Sequence, residues 1–246
     1  MKTHFTLFLL FVSNLLLAQE NYSIKASDES ISADYILLPF DPNYYMSDVD
    51  VEIGQYNKMK SLEIREYFRE ELDRKLFVTI KNKKQIKSML MSGGNNTIKD
   101  LSFVLESVKY EYVPLEVLPT NKNEKVKKIN TGQLDKKSST QAKYMRAACA
   151  SKEAFDELFK KNNSNYIISI NQFEIKNSFT DQIEIQQNVH KRKINVHYNI
   201  LDKNGKTIYG GIASSEFANN VLDVKEIVKL NFGKIVEEIS SHLPIN

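Results

Sequence analysis

Four consecutive apolar residues, Tyr35-Ile36-Leu37-Leu38, closed by Pro39, constrain this chain more than any other stretch. Neighbouring strand residues point to opposite faces of a sheet, so a strand apolar at every position needs cover on both sides. Proline cannot donate to a ladder and ends regular pairing there. Residues 35–40 are therefore expected to form a buried strand, and the rest of the chain must supply the layers around it.

Helices with one apolar stripe are the natural cover. In SLEIREYFREELDRKLF, Ile64, Phe68, Leu72 and Leu76 recur every fourth position, with Ser61 as the expected cap. The spacing of Val224, Val228, Phe232, Ile235, Ile239 and Leu243 predicts a closing helix limited by Pro244, with His242 stabilised as a charge in its last turn. Helices are also expected around residues 84–91, from Thr97 to about Val108 and from Gln141 to Lys161. FVTI reads as a short strand, Asp41 to Lys60 as a loop, and Ser92-Gly93-Gly94 as a turn.

Strand patterns dominate the C-terminal half. In YIISINQFEI the apolar parity switches from Ile168 and Ile170 to Phe173 and Ile175, the mark of a bulge or an exit from the sheet. Ile194, Val196, Tyr198 and Ile200 alternate with polar residues as in a half-buried strand. An irregularity is expected near His190 to Lys193, because Ile183, Ile185 and Val189 share the other parity. Asp202 to Lys206 reads as a hairpin turn leading into TIYGGIASSEF, with a kink at Gly210-Gly211. The expected fold class is α/β (α+β): a mixed sheet with a C-terminal antiparallel hairpin and helices packed against it.

The first twenty residues, MKTHFTLFLLFVSNLLLAQE, have a basic end, an apolar stretch from Phe5 to Leu17 and the small Ala18. These are the features of a secretory signal peptide, with cleavage expected after Ala18. Residues 19–246 are then read as a single α/β domain, with no integral membrane span once the signal is removed. The lone Cys149 has no partner for a disulfide, so the core must hold the fold. It reads as a small apolar filler rather than a reactive thiol. The formal charge of +3 falls by one with Lys2 and does not announce nucleic acid. Its unevenness is more informative. Lys122, Lys125, Lys127, Lys128, Lys136, Lys137 and Lys143 face only Glu124 and Asp135, which marks residues 119–143 as an exposed Lys-rich insertion able to meet an anionic envelope surface or an acidic partner.

The order DYILLPF, loop, SLEIREYFREELDRKLF, then AFDELFKKNN feeding SNYIISI, the hairpin NILDKNGKTIY and a closing helix resembles periplasmic α/β modules of Gram-negative envelope proteins. Those include the curli-secretion pore lipoprotein, the lipoprotein activators of penicillin-binding proteins and the N-terminal domain of the Tol translocation protein. The leader and the Lys/Asn/Ile-rich chain behind it look like an exported protein of the Bacteroidota. The resemblance implies a periplasmic, outer-membrane-associated or secreted location and a role in binding an envelope partner. No cysteine stands at the cleavage point to carry a lipid, and EIKNSFTDQIEIQQNVHKRK is too polar for lipid-facing hairpins, so neither anchoring nor pore formation is carried over.

Catalytic and metal-binding patterns are sparse. His190 and His197 stand an odd number of residues apart, on opposite faces of a regular strand. His197 shares a polar face with Asn195 and Asn199, where a surface position or a local hydrogen bond is expected. No G-x-S-x-G elbow accompanies Ser214 or Ser240, and neither Gly93-Gly94 nor Gly210-Gly211 makes a phosphate cradle. Glu70-Glu71 and Glu237-Glu238 point apart on their helices, while Asp48, Asp50 and Glu52 alternate like weak calcium ligands or a wet face. No catalytic residue, cofactor or metal is assigned. The candidate partner-binding residues are Phe40, Tyr44, Tyr45 and Met46, at the carboxyl end of the first strand, with Lys125, Lys127, Lys128, Lys136 and Lys137. The expected function is non-catalytic binding of another envelope component. A small-ligand or glycan receptor is the alternative, ahead of a hydrolase with dispersed residues.

Overall fold

A computed structural model describes residues 34–91, 95–115, 142–179 and 190–244. The apolar run forms β1 (Tyr35–Leu38), buried at all four positions. Tyr35 and Leu37 enter one apolar core, and Ile36 and Leu38 enter another on the opposite face. The strand lies parallel to β3 (Ile86–Ser88) on one side and to β6 (Tyr166–Ser178) on the other.

After Pro39 the chain leaves the sheet for a 3-10 turn, Pro42–Tyr44, in which the Asp41 side chain accepts from the Asn43 N–H at 2.8 Å. It then returns as β2 (Tyr45–Ser47), parallel to a later part of β6, and continues into α1 (Asp50–Asn57). Residues 41–60 are thus not the plain loop expected. Their strand is set by pairing with β6, 128 positions away in sequence from Tyr45 to Phe173, which no local pattern reveals.

In α2 (Ser61–Lys81) the stripe of Ile64, Phe68, Leu72 and Leu76 extends to Ile80, so FVTI stays helical rather than turning into a strand. The cap is Lys60, one residue earlier than expected, and its N–H is taken up by the Glu63 carboxylate at 2.6 Å. The helix expected over residues 84–91 is replaced by β3. Backbone bonds Tyr35 N–H to Gln85 O (3.1 Å) and Met89 N–H to Leu37 O (3.0 Å) extend its pairing with β1 at both ends.

Next come α3 (Asn95–Glu106), β4 (Val108–Pro114), β5 (Lys143–Cys149) and α4 (Lys152–Asn162). The single helix expected over residues 141–161 divides at Ala150-Ser151. Ser151 caps α4 through its Oγ, which accepts from Ala154 N–H at 3.3 Å, while β5 pairs antiparallel with β4. β7 (Lys191–Asp202) and β8 (Thr207–Ala218) form the C-terminal hairpin. In its turn Asp202 accepts from the N–H groups of Asn204 and Lys206, both at 2.9 Å, and Gly205 takes the left-handed φ of 73°. The last helix, α5 (Val224–Ser241), is capped by Asp223, which accepts from Lys225 N–H at 2.7 Å.

The fold is a mixed α/β architecture. The main sheet runs β3-β1-β6-β7-β8, with β2 beside β6, and five helices accompany it among the described residues. Helices α2 and α5 bury one face around Phe68, Phe173 and Phe232, and α3 and α4 bury part of the other. The parity switch in β6 is a bulge at Asn171: Ile170 faces Tyr198 and Gln172 faces its neighbour His197. The extra residue keeps Ile168, Ile170, Phe173 and Ile175 in the same core despite their mixed spacing. No described helix is long and apolar enough to cross a membrane.

Candidate functional site

The carboxyl end of β1 is the usual position for a ligand in a sheet of this kind. Phe40 lies there, 1% exposed, within a cluster of rings: its centroid is 5.7 Å from Phe173 and 6.4 Å from Tyr45. Its carbonyl accepts from Arg69 Nε at 2.8 Å. Tyr45 stacks on Phe173 and donates its hydroxyl to Asp50 at 2.6 Å. Burial, reinforced by the Asp50 charge, pushes this phenol well above its ordinary range. Tyr44 instead packs against Tyr110 of β4, ring centroids 4.5 Å apart. Met46 is the exposed member of the group, and its sulfur accepts from Gln172 Nε2 at 2.9 Å. The structure thus buries Phe40, packs the half-buried Tyr45 against the same core and holds Tyr44 against β4. Lys125, Lys127, Lys128, Lys136 and Lys137 lie outside the described residues.

Behind Phe40 sits an acid that composition and period did not single out. Asp73 is buried on α2 at a narrow recess shared with Pro39, Arg69, Leu72 and Ile170. Ser88 at the end of β3 donates to its Oδ2 at 2.5 Å, and Oδ1 has no partner among the described residues. Burial pushes Asp73 up to about 7, against the opposing pull of the Ser88 hydrogen bond and the Arg69 charge. The local signal was its place beside Leu72 on the flank of the apolar stripe.

On the polar face of β7, His197 and Asn199 are buried rather than at the surface and carry β5, while Asn195 is half-buried. His197 Nδ1 accepts from Met145 N–H at 2.8 Å, and Asn171 Nδ2 donates to Met145 O at 2.9 Å. The Asn199 carboxamide meets Ala147 like a neighbouring peptide, accepting from its N–H and donating to its O, each at 3.0 Å. Because Nδ1 accepts, the His197 proton resides on Nε2, 3.9 Å from Glu174. Burial pulls this imidazole down to about 4, with Glu174 opposing the shift. Glu174 is in turn held by Gln172 at 2.9 Å and Lys176 at 2.8 Å, while Tyr112 of β4 donates to Gln172 at 2.8 Å. The arrangement binds one layer of the protein to another, with the local hydrogen bond expected of His197 but none of the exposure.

The other histidines are also engaged. His190 lies between Asn177 and Asn219, at 3.0 and 3.3 Å. His242 Nδ1 lies 2.7 Å from the Tyr198 hydroxyl, and its ring stacks on Tyr209 at 3.8 Å. Burial lowers its pKa, so the expected cationic helix end is corrected to a packed ring favouring the neutral form. Asp50 and Glu52 diverge, one toward Tyr45 and the other toward Arg192. No three His, Cys, Asp or Glu side chains converge as metal ligands among the described residues.

An open groove of about 440 Å³ runs along the junction of α1 and α2, lined in part by Val51, Gly54, Lys58 and Met59. Gly54 is required there, since a Cβ would stand 2.7 Å from Met59 O, and Lys58 adopts the left-handed φ of 57°. Val51 in the groove lining is 72% exposed, and Tyr56 and Leu62 on the same two helices are exposed by 60 and 62%. No protein-family model matches this chain, and neither does any curated protein.

Proposed function

We propose that this is an exported, non-catalytic protein of the cell envelope that binds another envelope component, with the α1–α2 corner as its contact surface. The observation that carries the reading is an open groove lined by the exposed Val51, with Tyr56 and Leu62 of the same two helices also standing well into solvent. Singly exposed apolar residues need no explanation, but three on one pair of helices with a concavity at their junction suit a protein contact, with tyrosine among the favoured residues. The export signal and the resemblance to periplasmic modules supply the compartment. Packing buries Phe40 and stacks Tyr45 on Phe173, which leaves this corner the better contact than the aromatic loop.

A photocrosslinker replacing Tyr56 in intact cells tests both parts. The expected product is a discrete adduct with an envelope protein in the periplasmic or outer-membrane fraction, abolished by Val51→Asp with Leu62→Asp. Recovery in the cytosol with residues 5–17 intact would remove the envelope reading, and an adduct indifferent to the two substitutions would remove the corner.

A further inference from the structure

Arg192 sits near the start of β7, opposite Asn177 on β6 and Phe217 on β8, and is 1% exposed. Its Nη2 donates to Oε2 of Glu52 on α1. Its Nε and Nη1 are buried and have no hydrogen-bond partner among the described residues. A guanidinium is always charged, and burying its donors unused opposes folding, so such an arrangement calls for a reason.

The geometry of the pair suggests one. A guanidinium binds an oxyanion best along an edge, through two parallel N–H groups. Glu52 engages a single nitrogen and leaves two others idle, so it neutralises the charge without completing an edge. Glu52 is also the replaceable partner, since its side chain is 56% exposed. It belongs to the first turn of α1, a helix that has no side-chain N-cap and buries only Ile53. The far end of that helix is the anchored one, where Asn57 bonds Leu222 O at 2.7 Å and Val224 N–H at 3.2 Å. Near Glu52 the added tether is the bond from Tyr45 to Asp50.

We propose that Arg192 is a receptor for a carboxylate brought by a peptide partner, and that Glu52 is the resident stand-in which the incoming carboxylate displaces. The site is independent of where the chain resides and of the α1–α2 groove as a contact surface. A carboxylate is the fitting ligand because the protein already presents one to this guanidinium. The incoming group gains the second hydrogen bond that Glu52 leaves unmade.

The test is a titration of the full chain with N-acetylglycine, a minimal terminal carboxylate, at constant ionic strength. It follows the Nε–H resonance of Arg192 by NMR, assigned through Arg192→Lys. Glu52→Gln removes the competing charge while keeping the side chain's size. It is expected to bind saturably and about tenfold more tightly than the native protein, the difference one charged hydrogen bond makes. Arg192→Lys in the Glu52→Gln background, which cannot offer an edge, is expected to abolish binding. Glu52→Ala provides the same comparison if the glutamine variant does not fold, and thermal stabilisation by the same probe gives a second readout. No saturable shift in the Glu52 variants, retention of binding by the lysine variant, or an equal response to inorganic phosphate or chloride would each overturn the assignment.

Discussion

The main sheet is covered by different means under α2 and α5 on one face and under β5 on the other, the second face also carrying the separate apolar core of α3 and α4. Toward α2 and α5 the sheet presents Ile168, Ile170, Phe173, Ile175, Ile194 and Val196, and contact there is apolar. Toward β5 it presents Asn171, His197 and Asn199, all nearly or wholly buried, and contact runs through side chains that bond the backbone of Met145 and Ala147. The first face gains stability in proportion to area removed from water. The second gains less from area but fixes position, because each polar group has a specific partner to lose. It also occupies backbone groups along β5 that would otherwise offer an edge to another chain.

The largest expected effect falls on the apolar face. Phe173 touches the rings of Phe40, Tyr45, Phe68 and Phe232. Phe173→Ala should cost ~3–5 kcal/mol in denaturant unfolding, as truncation of a buried aromatic does. A loss no greater than that of an exposed-site control would mean that the cluster relaxes around the gap and that the faces are not distinct in kind.

The second expected effect is of opposite sign on the two faces. Asp73, held near 7 against an ordinary 3.8, stabilises the fold most below its ordinary value, and that contribution is lost as pH rises through 7. His197, held near 4 against 6.5, contributes fully above 6.5, and that contribution is lost as pH falls through 4. Each is worth on the order of 3 kcal/mol across its window, and between pH 4 and 6.5 the two offset each other. Asp73→Asn should therefore leave a protein whose stability falls on acidification more steeply than the native one. His197→Gln should leave one whose stability falls on alkalinisation. Urea midpoints measured from pH 4 to 8 decide the matter, and single variants that follow the native profile would refute it.

Asn199→Leu comes third, at ~2 kcal/mol, since it removes partners from both backbone groups of Ala147. Its distinguishing sign is local: hydrogen exchange should accelerate at Ala147 N–H more than at Ile194, on the same strand as Asn199. Uniform acceleration would show that β5 has no separate attachment.

These differences follow what local patterns can and cannot encode. The buried strand at Tyr35–Leu38, the bulge in β6, the hairpin at Asp202–Lys206 and the stripe of α5 are legible because their periods are complete within each segment. Strands β2, β3 and β5 are not, because their state is imposed by partners distant in the chain. The alternation of Asn195, His197 and Asn199 with apolar residues identified a polar face correctly, yet the cover over it comes from β5, more than 40 positions away. Asp73, Glu52 and Arg192 were hidden for the same reason. Charged residues favour the surface, and only the folded topology brings Glu52 to Arg192 or encloses Asp73 behind Phe40.

Tyr112→Phe probes the polar face most finely. The hydroxyl donates to Gln172 at 2.8 Å, while the ring stands edge-on to His197 with centroids 6.4 Å apart. Removing the oxygen keeps the ring and deletes one hydrogen bond, an expected loss of ~1 kcal/mol. Tyr112 is 52% exposed, so water can take up the freed Gln172 oxygen, which holds the cost at or below that figure. The more telling readout is the imidazole. Gln172 also donates to Glu174, the carboxylate facing His197. If polar contacts on this face act as a connected network, the His197 titration followed by NMR should move in Tyr112→Phe even though the ring remains beside it. A titration identical to that of the native protein would reduce the network to independent pairs, and the contrast between the faces would then rest on the β5 attachment alone.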